Sequence, residues 1–201
     1  MEPSGVSLLV LAGGRGSRLG GLRKPLLEVG GRPIVRRVLE ALGPLAGERL
    51  VLADQPLAVD GARVLVDAAA HAGVLPALEQ GLAQAKGEVS LIVAGDMPFV
   101  SRFAFGYLLE RIEGVDAVVP RVEGILQPMH AVIRREPALQ AIRTALASGE
   151  SRFFRVLETL ERCEVTEAEL RRVDPDLRTL FNVNTPEDLA AATRATAGSH
   201  T

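Results

Sequence analysis

The sequence predicts an α/β protein in which a doubly wound, mostly parallel sheet is flanked by helices on both sides, giving three layers. The first observation is a series of short apolar runs, such as residues 6–12 and 89–94, which are typical of strands buried on both faces of a sheet. The second is that helix-length segments with start and stop signals alternate with these runs. Because right-handed crossovers join such elements, a ligand is expected at the carboxyl ends of the strands.

The first half of the chain contains most of these alternating elements. Residues 6–12 form the first predicted strand, which ends at a pair of glycines. A helix over 33–42 has proline in its first turn and stops before Gly43. Ser101 is the predicted N-cap of a helix that extends to Ile112. The remaining predicted elements of this half are strands at 49–53 and 62–66, a helix at 74–86 and a strand at 89–94.

The second half is predicted by capping signals as much as by apolar periodicity. Thr166 and Glu169 have the spacing of a capping box. Thr185 and Pro186 open the last helix as N-cap and first-turn proline, with acidic residues following. The other predicted elements are strands at 116–120, 129–134 and 180–183, and helices at 137–147 and 151–160. We therefore expect one domain over residues 1–201, with 197–201 as a frayed tail.

Composition excludes several classes of protein. With 23 basic and 25 acidic side chains, the chain has a formal net charge of −2, which argues against a nucleic-acid binder or a polybasic membrane binder. The single cysteine, Cys163, excludes an intrachain disulfide and fits a reducing compartment. The apolar runs are far shorter than a membrane span, and the first residues lack the features of a signal peptide. These observations predict a cytoplasmic protein.

The strongest chemical signal is a glycine-rich segment at 11–26, directly after the first predicted strand. It holds five glycines and four basic residues, and the basic residues are Arg15, Arg18, Arg23 and Lys24. Glycines let backbone N–H groups approach a phosphate, and the cations neutralise it, so the segment predicts a triphosphate site. It matches neither a Walker A loop nor a dinucleotide fingerprint. The alternative is a surface loop in which glycine only makes turns.

Asp96 is the second signal, because it directly follows the predicted strand at 89–94. There it faces the same crevice as the glycine-rich segment, where Mg²⁺ could bridge it to phosphates. The alternative is that Asp96 caps the turn before Ser101.

Asn182 and Asn184 are the third signal: in an extended strand they project to the same side and could bind a ligand or metal-bound water. Their alternative role is in a helix-capping turn.

Histidine and cysteine offer no further catalytic site. His130 lies among apolar residues in a predicted strand and is interpreted as a core residue. His71 is in a loop and His200 is in the tail, so no histidine pair indicates zinc. No nucleophile and base have a recognisable spacing, and Cys163 is interpreted as a core residue, so covalent catalysis has no support.

These motifs, taken in order over nearly the whole chain, resemble those of the molybdenum cofactor guanylyltransferases. The glycine-rich part of the set is shared with the wider group of nucleotidyltransferases, whereas the set as a whole is specific. The motifs that carry the resemblance are Leu11-Ala12-Gly13-Gly14 with Arg18, Gly20-Gly21 and Lys24; Gly95-Asp96-Met97-Pro98; Gln127-Pro128; and Asn182-Val183-Asn184-Thr185-Pro186-Glu187-Asp188.

The resemblance implies a Rossmann-like nucleotidyltransferase fold. It also implies transfer of GMP from GTP to the phosphate of molybdopterin, with Mg²⁺ as cofactor and release of pyrophosphate. It implies that Lys24 binds phosphates, that Asp96 binds Mg²⁺ and that Asn182 and Asn184 lie on the acceptor side. Arg15 or Arg18 would help Lys24 to neutralise charge during in-line attack. Transient docking to molybdenum-cofactor enzymes or their chaperones is also expected. The expected nucleotide contacts are Leu11, Ala12, Gly13, Gly14, Arg15, Lys24, Asp67 and Asp96.

The chain departs from the family pattern at positions expected near the base. Arg23 stands where many members have aspartate, Ala53 or Asp54 replaces a frequent asparagine, and residues 73–77 read G-V-L-P-A in place of G-P-L-A-G. Two further interpretations therefore stay open. One is another nucleotidyltransferase, either a guanylyltransferase acting on adenosylcobinamide phosphate or a CTP-dependent enzyme of molybdopterin or sugar-phosphate metabolism. The other is a nucleotide-binding regulatory module without catalysis.

Overall fold

The computed structural model describes residues 2–13, 23–66 and 73–197. Within these ranges the main sheet has eight strands in the order β10-β7-β9-β6-β1-β4-β5, with β8 paired to the free part of β7, and β2 and β3 form a separate hairpin. The strands are β1 (Val6–Leu11), β2 (Glu28–Val29), β3 (Arg32–Pro33), β4 (Glu48–Ala53), β5 (Arg63–Val66), β6 (Val89–Ala94), β7 (Ala117–Val122), β8 (Ile125–Leu126), β9 (His130–Arg134) and β10 (Arg162–Thr166).

Helices pack on both faces of this sheet. They are α1 (Ile34–Leu42), α2 (Val74–Gln84), α3 (Arg102–Leu109), α4 (Arg135–Ala147), α5 (Phe153–Thr159), α6 (Glu167–Leu170) and α7 (Pro186–Ala197). The longest, α4, has 13 residues, and none of the described helices combines the length and apolar composition needed to cross a membrane. Residues 198–201 of the expected tail lie outside the described residues, whereas Ala197 ends α7.

The parallel part of the sheet confirms the predicted fold class. Strand β1 is central and pairs in parallel with β4 and β6, so that Leu11 lies between Leu52 and Ala94 at the carboxyl edge. Side chains along β1 alternate between two cores: Leu8 and Val10 pack with α1 and α3, and Leu9 packs with α2. The alternation arises because successive residues of a strand point to opposite faces.

Strand β9 departs from the predicted βαβ pattern, because it runs antiparallel to both β6 and β7. Only residues 123–129 separate β7 from β9, too few for the crossover that parallel strands require. The chain instead turns back at Glu123 and Gly124, which have φ values of +50° and +76°, as expected for a two-residue hairpin. Strand β8 follows this turn and pairs with β7.

Two further predictions near the end of the chain are corrected. Strand β10, which pairs in parallel with β7, was not predicted. The strand predicted at 180–183 was wrong: a 3₁₀ turn covers Arg178–Leu180, and the extended residues after it join no sheet. Val183 is fully buried, so the apolar pattern reflects burial of single side chains. The backbone N–H of Val183 donates to the Asp96 carbonyl at 2.9 Å, a single bond and not a strand ladder.

The predicted helix caps are confirmed. The Ser101 hydroxyl accepts hydrogen bonds from the N–H groups of Phe103 and Ala104. Thr166 and Glu169 form the reciprocal bonds of a capping box. The α3 helix ends at Leu109, so Ile112 lies beyond it but is still buried in the same core. These local bonds supply partners for N–H groups that have none within the helix.

His130 is a core residue, as predicted, and its ring packs against Phe105 with 4.2 Å between centroids. Its Nε2 atom lies 3.4 Å from the Thr179 hydroxyl. Its Nδ1 atom is buried without a hydrogen-bond partner among the described residues. Burial lowers the pKa of His130 to about 3, because the charged ring cannot be solvated there.

This burial predicts a pH-dependent stability. The unfolded chain binds a proton at His130 near pH 6.5, whereas the folded chain does so only near pH 3. Stability is therefore fully present above pH 6.5 and is lost as the pH falls below it, by up to about 1.4 kcal/mol per pH unit. We expect urea unfolding between pH 5 and 8 to show this slope, and the His130→Gln variant to have a shallower one. Equal slopes in the two proteins would contradict the assignment to His130.

Candidate active site

The carboxyl edge of the sheet brings the first two sequence motifs together. The carbonyl of Leu11 accepts a hydrogen bond from the N–H of Gly95 at 2.8 Å, and the N–H of Ala12 donates to the Leu52 carbonyl at 2.8 Å. Leu11, Ala12 and Gly13 therefore leave β1 directly beside the segment that carries Asp96. This edge is where open α/β sheets bind their ligands.

Gly95 permits this close approach. A Cβ atom at this position would lie 3.0 Å from the Leu11 carbonyl oxygen and 3.3 Å from the Cα of Ala12. Both neighbours are backbone atoms that cannot rotate away, so a side chain would push the end of β1 from the turn after β6. The glycine before Asp96 is thus required by packing.

Three side chains meet at this edge and form what we term the reaction cluster: Lys24, Asp96 and Asn184. The Lys24 ammonium donates to Asp96 Oδ2 at 3.1 Å and to Asn184 Oδ1 at 2.6 Å. The side chains of Lys24 and Asp96 are 23% and 19% exposed, so they are shielded but still open to a ligand. The cluster joins residues separated by up to 160 positions in the chain, from three of the sequence motifs.

One oxygen of the Asp96 carboxylate has no hydrogen-bond partner among the described residues. Its Oδ1 atom is buried and makes no hydrogen bond to the described residues, although a buried carboxylate oxygen is costly to leave unpaired. A hard cation such as Mg²⁺ is a suitable partner, because it takes one or two carboxylates and completes its shell with phosphates and water. Among the described residues no group of three His, Cys, Asp or Glu side chains could hold a metal, and phosphate oxygens of a substrate are ligands that Mg²⁺ commonly takes.

The start of α7 holds Asn184 in place. Asp188 Oδ2 accepts the backbone N–H groups of Asn184 and Thr185, each at 2.9 Å. Hydrogen bonds from these N–H groups lower the pKa of Asp188, and the bond from Asn184 has the largest effect. The positive charge of Lys24 lowers this pKa further. Sequence reasoning assigned Asp188 only to the first turn of a helix. The structure adds that this capping carboxylate fixes the backbone of a residue in the reaction cluster.

Within the described residues Asn182 does not bond to the reaction cluster, whereas both asparagine side chains were expected to project to one side of a strand. The Nδ2 atom of Asn182 donates to the Leu180 carbonyl at 2.9 Å, whereas Asn184 contacts Lys24. The prediction assumed a strand at 180–183, and the irregular backbone there replaces the expected alternation. The structure therefore assigns Asn182 a local bond and places only Asn184 against the predicted phosphate-binding lysine.

Several predicted site residues cannot be placed. Gly14, Arg15, Arg18 and Asp67 lie outside the described residues. Of the four basic residues of the glycine-rich segment, Arg23 and Lys24 are described. Arg23 donates to the carbonyls of Pro56 at 2.9 Å and Gln55 at 3.2 Å, so it ties this segment to the loop after β4.

Comparison with known proteins agrees with this geometry. Residues 8–164 match the model of the MobA-like NTP transferase domain. The chain is 34% identical over 197 residues to a probable molybdenum cofactor guanylyltransferase of Methanosarcina acetivorans, covering 91% of this chain and 88% of that protein. It is 32% identical over 193 residues to the molybdenum cofactor guanylyltransferase of Desulfosudis oleivorans, covering 94% and 95%.

A solved structure extends the comparison to the fold. Molybdopterin-guanine dinucleotide biosynthesis protein A from Archaeoglobus fulgidus superposes with a TM-score of 0.80 at 24% identity, over 96% of this chain and 99% of that one. The residues matched by the family model include Lys24 and Asp96 of the reaction cluster and β1 from Leu8 onward. The chain belongs to the MobA-like NTP transferase family.

Proposed function

We propose that this protein is a molybdenum cofactor guanylyltransferase, which transfers GMP from GTP to the phosphate of molybdopterin and releases pyrophosphate. The observation that carries the proposal is the reaction cluster at the carboxyl edge of the sheet, with its shielded lysine and an Asp96 oxygen that has no partner in the described part of the chain. The names of relatives that match over more than nine-tenths of the chain support the choice of acceptor.

In this reaction an oxygen of the acceptor phosphate attacks the α-phosphorus of GTP. A phosphoanhydride bond forms, the bond to the β-phosphate breaks, and pyrophosphate leaves with its electron pair. The protein has to position two anions and neutralise their charge, so it needs no nucleophile of its own. Lys24 places its ammonium against the phosphates, and Asn184 holds that ammonium through a 2.6 Å hydrogen bond. Arg15 and Arg18 are proposed to add charge.

We propose Mg²⁺ as the cofactor, held by Asp96 together with phosphate oxygens. When bound, the ion would neutralise charge on the triphosphate. The remaining proposed nucleotide contacts are Leu11, Ala12, Gly13, Gly14 and Asp67. We also propose that the protein is cytoplasmic, binds neither nucleic acid nor membrane, and docks transiently with molybdenum-cofactor enzymes or their chaperones.

The test of the proposed function is an assay of each nucleotide with molybdopterin that carries molybdenum. Pyrophosphate release and formation of the dinucleotide are measured with GTP, CTP, ATP and UTP, with and without Mg²⁺. We expect turnover with GTP that requires both the acceptor and the metal. Transfer from CTP and not from GTP would overturn the choice of nucleotide. Nucleotide binding without turnover on any acceptor would support the regulatory module.

The two asparagines provide a matched pair for the role of the cluster. In Asn184→Ala, Lys24 loses its shortest contact, and we expect kcat/KM to fall about tenfold, since a hydrogen bond to a charged group contributes about 1.5–3 kcal/mol. Asn182→Ala removes only a bond to a nearby carbonyl and should change kcat/KM less than about twofold. Initial rates of GMP transfer make the comparison. Equal losses in the two variants would contradict the assignment of Asn184 to Lys24.

A further inference from the structure

A cavity of about 1040 Å³ lies beside the segment that follows Asp96, and Pro98 is the one described residue of its lining that belongs to a motif named above. Pro98 and Phe99 form part of its wall, and three arginines contribute to the rest. We term this surface the arginine groove and define it by Arg32, Arg37, Phe99 and Arg178. A second cavity of about 550 Å³ shares Phe99, Arg178 and Ala195 with it, so the two cavities meet at these residues.

Among the described residues, the lining of the arginine groove carries more positive than negative charge: three arginines stand against two carboxylates, those of Glu40 and Asp174. Arg32 pairs with Glu40 at 3.1 Å. Within the described ranges, by contrast, Arg37 and Arg178 form no ion pair. Arg37 donates to two backbone carbonyls, those of Pro98 and Val29. Burial and then the charge of Arg32 lower the pKa of Arg37; the charge of Glu40 opposes this shift, and that of Arg178 adds to it to a smaller extent. Like charges held together in this way favour an anionic or electron-rich ligand.

The groove also has a flat, aromatic component. The guanidinium carbon of Arg178 lies 4.4 Å from the centroid of the Phe99 ring, and that of Arg37 lies 5.9 Å from it. The Phe181 ring packs on Phe99 at 5.7 Å between centroids. Phe99 and planar guanidinium groups suit a planar heterocycle, because they can stack on it and donate hydrogen bonds to its carbonyl and ring nitrogens.

The groove is close to the reaction cluster. Three residues of chain span at most about 11 Å, so the Cα atoms of Asp96 and Phe99 can be no farther apart. Residues 181–183 run beside residues 96–99: the Val183 N–H donates to the Asp96 carbonyl, and the Phe181 ring packs on the Phe99 ring. A ligand with its phosphate at Lys24 could therefore extend along these two segments to the arginines.

We propose that the arginine groove binds the pterin end of the acceptor while the acceptor's phosphate lies at the reaction cluster. The inference rests on the proposed function and adds a subsite to it. Molybdopterin could occupy the groove and the reaction cluster together, because its planar pterin and its anionic metal dithiolate lie at a distance from its phosphate. The nucleotide is expected on the other side of Asp96, along the glycine-rich segment, so the groove should not affect GTP binding.

The test compares two exposed arginines that each lie over a phenylalanine ring. Arg178→Ala removes the groove contact, whereas Arg102→Ala removes an arginine placed 4.9 Å from the Phe103 ring and outside both cavities. KM for molybdopterin and KM for GTP are measured separately. We expect Arg178→Ala to raise the KM for molybdopterin about tenfold, because a charged contact to the ligand is lost. The KM for GTP should stay within about twofold of the wild-type value. Arg102→Ala should change neither constant.

Three other outcomes would each overturn the inference, and they can be distinguished from one another. An active wild-type protein with an unchanged molybdopterin KM in Arg178→Ala would remove the subsite and leave the proposed function intact. A rise in KM for GTP alone would assign the groove to the guanine base. A wild-type protein that transfers no nucleotide to molybdopterin would overturn the proposed function and the subsite together. Phe99→Leu provides a second variant, and we expect it to raise KM for molybdopterin as well.

Discussion

Replacing Asp96 by alanine should abolish GMP transfer while leaving the protein folded. The variant removes the buried oxygen that has no partner within the described part of the chain and also the ion pair with Lys24. Because the carboxylate is expected to hold the metal that neutralises the triphosphate, we predict a loss of kcat of at least about 100-fold. The measurement is the steady-state rate of pyrophosphate release at saturating Mg²⁺, GTP and acceptor.

Stability separates a catalytic role for Asp96 from a structural one. A carboxylate oxygen buried without a partner is costly in the folded state, so Asp96→Ala should unfold at the same temperature as the wild type or at a higher one. Asp60→Ala is the control, since Asp60 is an exposed aspartate in the loop after β4. Retained turnover in Asp96→Ala, or a loss of activity that follows a loss of fold, would remove Asp96 from the metal site.

The second large effect is expected at Lys24. Lys24→Ala removes the ammonium that bonds both Asp96 and Asn184, and with it a positive charge expected at the phosphates. We predict that the Kd for GTP rises at least about tenfold, because hydrogen bonds to charged groups contribute about 1.5–3 kcal/mol. Binding is measured by calorimetry with Mg²⁺ present and without acceptor.

The chain contains its own control for this experiment. Lys24 and Lys86 are its two lysines, and Lys86 is exposed just after α2. Lys86→Ala should bind GTP like the wild type. An unchanged affinity in Lys24→Ala, or an equal decrease in both variants, would contradict the assignment of Lys24 to the phosphates.

The parallel half of the fold could be predicted because its signals are local. Continuous apolar runs mark β1 and β6, and capping residues such as Ser101 mark helix starts. Strand β9 was predicted at 129–134, but its antiparallel direction was missed because an apolar pattern does not encode strand direction. Its signal is the length of the connection, since residues 123–129 are too few for a parallel crossover. The β2–β3 hairpin had a signal in Gly30-Gly31, which both have positive φ.

The site was predicted in part for a similar reason. Lys24 and Asp96 were assigned because a glycine-rich segment and the end of a buried strand must meet at the carboxyl edge of a parallel sheet. The different roles of Asn182 and Asn184 could not be predicted, since they depend on an irregular segment fixed by tertiary contacts of Val183 and Asp188. The arginine groove also has no sequence signal, because its arginines come from distant parts of the chain.

The most direct test of the central claim is a crystal structure with GTP and Mg²⁺ bound. The claim is that the reaction cluster holds a metal-bound triphosphate. We predict a metal ion at about 2.1 Å from Asp96 Oδ1, as Mg²⁺ requires, with Lys24 donating to a phosphate oxygen. A triphosphate bound away from Lys24, or a metal that does not contact Asp96, would contradict the claim.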